Sequence, residues 1–154
     1  MTLMNEQVTI RKATVSDLDN IVHLEQLCFR EDRFSRRQFR YLIVKSRADF
    51  LVVGEAGRIT AYLVLLKRRN WKGMRIYSIA VSPSHRGKGL ARLLLDEAEE
   101  RARRNGNLFL FLEVSGNNPE AIRLYGRHGF NVFGERPAYY QDGSSALKMR
   151  KPLR

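Results

Sequence analysis

Ile79-Ala80-Val81-Ser82-Pro83-Ser84-His85-Arg86-Gly87-Lys88-Gly89-Leu90-Ala91 is the stretch on which the fold turns. An apolar, partly β-branched run ends at Val81, a glycine-rich basic turn follows, and a helical pattern begins. Leu90, Leu93, Leu94, Ala98 and Ala102 recur on one side, with acids and arginines on the other. That spacing predicts an amphipathic helix over Gly89–Arg104, about four turns long, stopped by Asn105-Gly106. Free amides at a helix N-terminus point at whatever lies there, and the helix dipole favours an anion. Gly87 and Gly89 allow close backbone approach without a Cβ clash, and Arg86 and Lys88 add positive charge. Two readings fit: a pyrophosphate cradle, or a tight turn before a helix. The P-loop pattern is excluded, because Gly87-Lys88 is followed by Gly89 rather than Ser or Thr. The dinucleotide fingerprint would need a third glycine where Arg92 stands.

Working outward, Arg75–Val81 reads as the strand that feeds this turn, and Leu108–Val114 as an apolar strand of the fully buried kind. Asn118-Pro119-Glu120 has the chemistry of a helix start: a capping Asn, then Pro in the first turn, then an acid. Ala121, Ile122, Leu124 and Tyr125 continue that helix to Gly129, and Asn131–Gly134 and Ala146–Arg150 close the chain as strands. Upstream, Val8–Arg11 opens as a short strand. Ser16, Asp17 and Asp19 suit a helix N-terminus, and Leu18, Ile21, Val22, Leu24, Leu27 and Cys28 follow at helical spacing. Ser35–Lys45 reads as a second helix. Phe50–Gly54 and Ile59–Leu66 form a hairpin through Glu55-Ala56-Gly57-Arg58. The order β α α β β β α β α β β predicts one domain over residues 1–154. It is of the α/β class: one twisted mixed sheet of about six to seven strands flanked by about four helices.

Composition narrows the function classes. A chain of 154 residues, 44% hydrophobic and 10% aromatic, can bury a core, which argues against disorder throughout. The longest apolar run, Ala61–Leu66, is far short of the roughly 20 residues a membrane helix needs. Cys28 is the only cysteine, so an internal disulfide framework and a multi-cysteine zinc site are excluded. His23, His85 and His128 lack ligand spacing, and no metal is expected. Cys28, spaced with core leucines, reads as buried and inert, and the plain expectation is a cytoplasmic protein. The net charge of +12 is spread along the chain rather than held in a tail. Two windows concentrate it: Arg30–Arg47 with seven basic and two acidic residues, and Lys67–Arg75 with five basic and none acidic. Such charge suits RNA, a ribosome, an acidic peptide or an anionic cofactor, or simply keeps the protein soluble. Direct nucleic-acid binding is not expected, because the aromatics do not alternate with basic residues along a strand as in an RNA-reading sheet.

Arg86-x-x-Gly89-x-Ala91 matches the Gln/Arg-x-x-Gly-x-Gly/Ala signature of the GCN5-related N-acetyltransferases, the GNAT superfamily, and the element order resembles the GNAT fold over almost the whole chain. Leu112-Glu113-Val114, Asn117-Asn118, Ala121-Ile122-x-Leu124-Tyr125, Gly129-Phe130 and Tyr139-Tyr140 are similar to the ribosomal-protein-alanine N-acetyltransferases, its RimI-type branch. The resemblance implies an acetyl-CoA-dependent N-acetyltransferase acting by direct transfer in a ternary complex. The acceptor it implies is the N-terminal α-amine of a protein or peptide, such as a ribosomal one. It implies that Arg86, Gly87, Lys88, Gly89, Leu90, Ala91 and Arg92 bind the cofactor pyrophosphate, with Asn118 also on the cofactor. Ile79, Ala80 and Val81 would pair with the pantetheine arm. A monomer or weak homodimer is expected, and two alternatives stand: transfer to a lysine or a small amine, or, from another class, a ribosome- or RNA-binding module with a degenerate cofactor site.

The chemistry asks for groups of the same kind. An amine must lose a proton before it attacks a thioester, and an α-amine, with a pKa near 7.7–8.0, does so more readily than a lysine near 10.4. The departing thiolate must gain a proton. Glu113 stands in an otherwise apolar strand, where a carboxylate is a candidate general base or a strand-end acid paired to an arginine. The resemblance makes it the proton acceptor, directly or through water. Tyr125 reads from spacing as a core residue; the resemblance makes it the acid that protonates the thiolate. On the acceptor side the family pattern places Phe29–Arg47 and Pro137–Ser145, with Phe29, Tyr139 and Tyr140 as substrate contacts or, equally, core packing. The acid usual before the last strand of that branch is replaced here by Ser144-Ser145.

Overall fold

The computed structural model describes residues 8–29, 33–44 and 47–153. The elements are β1 (Ile10–Lys12), α1 (Leu18–Cys28), α2 (Arg36–Val44), β2 (Ala48–Val53), β3 (Ala61–Leu66), β4 (Gly73–Val81), α3 (Leu90–Arg104), β5 (Phe109–Ser115), α4 (Pro119–Arg127), β6 (Asn131–Arg136) and β7 (Ala146–Pro152). The expected order holds, with ends shifted by one or two residues. The strands form a seven-stranded mixed sheet in the order β1-β2-β3-β4-β5-β7-β6, and four α-helices accompany it among the described residues. Lys45, expected to end α2, lies outside the described residues, as do residues 30–32 and 46 of the basic window.

The chain divides into two compact units, Met1–Leu65 with Ser78–Leu94, and Leu66–Tyr77 with Leu95–Arg154. In the first, β1 pairs antiparallel with β2, Ile10 opposite Val53 and Lys12 opposite Leu51. The β2–β3 turn closes through the Arg58 amide on the Glu55 carbonyl at 2.8 Å. Phe39 of α2, Phe50 of β2 and Tyr62 of β3 bring their rings within 5.6–5.9 Å of one another. Ile21 and Leu24 of α1 are equally buried. A 3-10 turn, Val15–Asp17, leads into α1. There the Asp17 carboxylate, 1% exposed, takes the Arg11 guanidinium on both oxygens at 2.9 Å and the Thr14 amide at 2.8 Å.

In the second unit β5 runs parallel to the start of β4, with Gly73 opposite Phe109 and Arg75 opposite Phe111. It runs antiparallel to β7, with Phe111 opposite Arg150 and Glu113 opposite Lys148. β6 pairs antiparallel with β7 and bulges between Val132 and Gly134. The fully buried β5 expected from the sequence is corrected here. Leu110, Leu112 and Val114 are buried, whereas Phe109, Phe111, Glu113 and Ser115 are only partly covered. The unbroken run of apolar letters hides this two-sidedness, because phenylalanine serves a half-open face as readily as a core. Helix α3 covers the leucine side: Lys151, opposite Leu110 in the register, pairs with Glu99 of that helix, and Leu95, Ala98 and Ala102 of α3 are fully buried.

Candidate active site

The first unit carries the basic loop. After β4 a 3-10 turn spans Pro83–His85, and α3 starts at Leu90. Gly87 and Gly89 have φ of +79° and +82°, a backbone region that side-chain-bearing residues rarely enter. A Cβ at either would meet open space, so these glycines are required for conformation rather than for want of room. The loop is tied at its strand end by the Ser82 amide on the Thr60 carbonyl (2.8 Å) and the His85 amide on the Ser82 carbonyl (2.9 Å). Beyond it the first-turn amides of α3 are free of helix partners by construction, and Lys88 and Arg92 are exposed beside them. These are the features an anionic pyrophosphate needs: open backbone amides, added cations, and room above two glycines.

Arg86, the first residue of the loop, is also tied to the strand that feeds it. Its Nε donates to the Val81 carbonyl at 3.2 Å, and the Cys28 thiol donates to the same oxygen at 3.3 Å. Arg86 thus braces the end of β4. Cys28, expected to be buried, is half-buried, and burial raises its thiol pKa more than the Arg86 charge lowers it, which disfavours a nucleophilic thiolate. Along β4, Ile79 and Val81 are half-buried and Ala80 is buried. The Phe29 carbonyl accepts a 2.5 Å bond from Arg33 Nε.

Spacing did not single out the polar group buried beside these residues. Glu25 of α1 accepts from the Tyr62 hydroxyl at 2.5 Å and from the Phe34 amide at 3.0 Å, and the Tyr62 hydroxyl also meets Ser78 at 2.9 Å. Burial raises the pKa of both Glu25 and Tyr62. The only hint in the sequence is an acid next to Leu24 on the apolar side of α1.

The second unit carries the two proton-transfer candidates. Glu113 sits on β5 with its side chain 4% exposed. Arg75 donates to its Oε1 at 3.1 Å, and Nε of Arg136 stands 2.9 Å from Oε2. The latter is an ion pair without the alignment of a hydrogen bond. Arg136 in turn lies over the Tyr139 ring at 5.5 Å, and the Tyr139 and Tyr140 rings meet edge-on at 5.0 Å. Tyr125, on α4, is buried against Phe130 at 5.9 Å. Burial, with a smaller push from Tyr140, raises its hydroxyl to about 12. Asn118 caps α4, its side chain accepting from the Ala121 amide at 3.2 Å.

The loop before β7 also holds an acid. Asp142 accepts from the Ser144 hydroxyl at 2.6 Å and the Ser144 amide at 2.8 Å, and those bonds lower its pKa. Ser144 meets Ser115 of β5 at 2.9 Å. An arginine partner for Glu113 is among the readings of the sequence, but Arg75 and Arg136 cannot be named from it, because strand pairing and not spacing brings them there. Among the described residues no group of three or more His, Cys, Asp or Glu could hold a metal, and no helix is long and apolar enough to cross a membrane.

Known proteins similar to this chain are acetyltransferases by name. N-alpha-acetyltransferase RimI of Mycobacterium tuberculosis is 30% identical over 155 aligned positions, 98% of this chain and 96% of that protein. Streptothricin acetyltransferase of Streptomyces lavendulae is 36% identical over 107, or 67% of this chain, which spans only 57% of that relative's length. The crystal structure of the ribosomal-protein-S18-alanine N-acetyltransferase from Escherichia coli superposes with a TM-score of 0.84, at 28% identity over 95% of this chain and 94% of that one. Residues 18–130 match the Acetyltransferase (GNAT) family, and with a strand–glycine loop–helix unit at its expected place in a seven-stranded sheet, the chain belongs to that family.

Proposed function

We propose that the two units act as one catalytic domain that moves an acetyl group from acetyl-CoA to the N-terminal α-amine of a protein. The observation that carries this reading is the pairing of chemistries within the second unit: a buried carboxylate on β5 and a buried, protonated phenol on α4. The loop's left-handed glycines, helix amides and exposed Lys88 and Arg92 fit the diphosphate of the cofactor. Bound acetyl-CoA supplies an acetyl group activated as a thioester. Glu113 accepts the proton that the ammonium must lose, through a water or when the half-exposed Arg136 swings off Oε2. With acetyl-CoA bound, the amine nitrogen would bond to the acetyl carbon as the carbon–sulfur bond breaks; the Tyr125 hydroxyl would give its proton to the sulfur, and the second proton of the acylated nitrogen would return to the Tyr125 phenolate. Tyr139 and Tyr140, with Asp142 nearby, form the acceptor side of this unit, and its aromatic character suits a peptide backbone. The single half-buried thiol suits a reducing cytosol, where we place the protein.

The identity to a streptothricin acetyltransferase favours a second reading, acetylation of a small-molecule amine. A turnover screen of acetyl-CoA against peptides with free N-termini, N-terminally blocked lysine peptides and small amines separates the two. Preference for free peptide N-termini supports the proposal; turnover confined to small amines overturns it. Acetyl-CoA is also expected to raise the melting temperature by binding the native state, and no shift would count against both readings.

A further inference from the structure

We propose that the half-open face of the sheet in the second unit is a binding platform for single-stranded nucleic acid. The strand register assembles what no single strand carries. On that face β5 presents Phe109 and Phe111, β4 presents Arg75 opposite Phe111, and β7 presents Arg150 and Lys148. Phe133, 45% exposed in the β6 bulge, closes on Phe111 at 5.8 Å. Trp71 extends the row, meeting Phe109 at 5.4 Å edge-on.

Cations lie over these rings. Arg150 stands 4.7 Å from the Phe133 ring, Arg75 5.6 Å from Phe111 and Arg68 5.7 Å from Trp71. The sequence argued against nucleic acid because rings and basic residues do not alternate along one strand. Across the strands they do.

Ring faces and guanidinium planes are the two surfaces on which unstacked bases stack, while the cations neutralise phosphates. Among the described residues, Arg75 and Arg136 hold the Glu113 carboxylate here, and Arg68, Lys148 and Arg150 add positive charge beyond it. That excess argues against a second copy of this chain, since the same face twice would oppose cation to cation. It also argues for a polyanion with planar groups over an acidic protein, which would use the charges and leave the rings idle. The inference does not depend on the transfer reaction.

The test uses the full chain and a fluorescein-labelled twelve-nucleotide poly-U RNA, read by anisotropy over a salt series. Binding is expected to weaken as salt rises, with a logarithmic slope of about −0.7 per phosphate neutralised. Phe111→Ala and Phe133→Ala are each expected to weaken it about tenfold or more, and Arg150→Ala to flatten the slope. None of the three should change the melting-temperature rise given by acetyl-CoA. A duplex RNA of the same length should bind more weakly than the single strand, and a poly-Glu peptide should fail to compete at equal charge. Absence of binding at low salt overturns the proposal. So does binding that poly-Glu competes away and that the two alanine variants leave unchanged, because the face would then be a plain cationic surface.

Discussion

Nε of Arg136 stands 2.9 Å from Oε2 of Glu113, the carboxylate whose other oxygen Arg75 already holds. The proposed base is therefore clamped from two strands. Such a clamp fixes the carboxylate in place, and it also means that an acceptor has to displace Arg136 or reach the oxygen through water. Arg136 is the partner able to move: its side chain is 49% exposed, against 31% for Arg75.

Glu113→Gln keeps the shape and removes the proton acceptor. Turnover at pH 7 is expected to fall by about 10²–10⁴, with the affinity for acetyl-CoA unchanged when measured by calorimetry. An unchanged pH–rate profile in the variant would remove Glu113 from the role of base.

Tyr125 gives a prediction about the other limb of the profile. A hydroxyl raised to about 12 stays protonated through pH 10, so it is available as an acid across the working range. The rate should rise as the acceptor amine deprotonates and then level off, with no alkaline fall before about pH 10. Tyr125→Phe should lower kcat by about 10² or more while leaving acetyl-CoA binding intact. A steep alkaline loss near pH 8 that vanishes in Tyr125→Phe would contradict the buried, protonated hydroxyl.

The Arg11–Asp17 pair sets a stability prediction. The Asp17 pKa is lowered in the folded protein, first by its bond from Arg11. A lowered carboxyl contributes stability that is full above the unfolded value, about 3.9, and is lost as pH falls through the folded value. Asp17→Asn should therefore cost about 1–3 kcal/mol at pH 7, a fall of several degrees in Tm for a chain of this size. The gap between variant and parent should shrink below about pH 4. Urea denaturation at pH 7 and pH 3 measures it; a gap of equal size at both would rule the pair out as the cause.

Local signals made much of this legible in the sequence. The Arg86–Ala91 loop lies in six consecutive residues, and the caps and periodicity of α3 and α4 are written in adjacent residues, so those elements fall where the sequence places them. Glu113 and Tyr125 stand out only through a family resemblance, because an acid in an apolar strand and a tyrosine on an apolar helix each have an ordinary structural explanation. What escaped is made by pairing between distant strands. Arg75 and Arg136 reach Glu113 across 38 and 23 positions of chain, and Arg150 reaches the Phe133 ring only because β7 inserts between β5 and β6. Phe109 and Phe111 read as core because the pattern Phe-Leu-Phe-Leu has no polar letter to mark its open side. Glu25 carries no mark in the sequence because its partners, Tyr62 and the Phe34 amide, lie outside its own helix.

Gly89 tests the loop separately from the proton-transfer groups. Its φ of +82° lies where a Cβ is strained, yet open space surrounds that position, so Gly89→Ala adds strain without a clash. Two outcomes are open to the chain. It can hold the loop at a cost of about 1 kcal/mol, or relax the turn and rotate the amides at the start of α3 away from the phosphates. The first lowers Tm by a few degrees and leaves acetyl-CoA affinity alone; the second weakens that affinity while sparing Tm. Because α3 begins at the next residue and its first amides have no other partner, relaxation is the cheaper path. The expected result is an acetyl-CoA Kd raised about tenfold or more with Tm lowered by no more than about 2 °C. Calorimetric titration beside a thermal melt reads both quantities. A lowered Tm with unchanged Kd would mean that the loop amides do not hold the diphosphate.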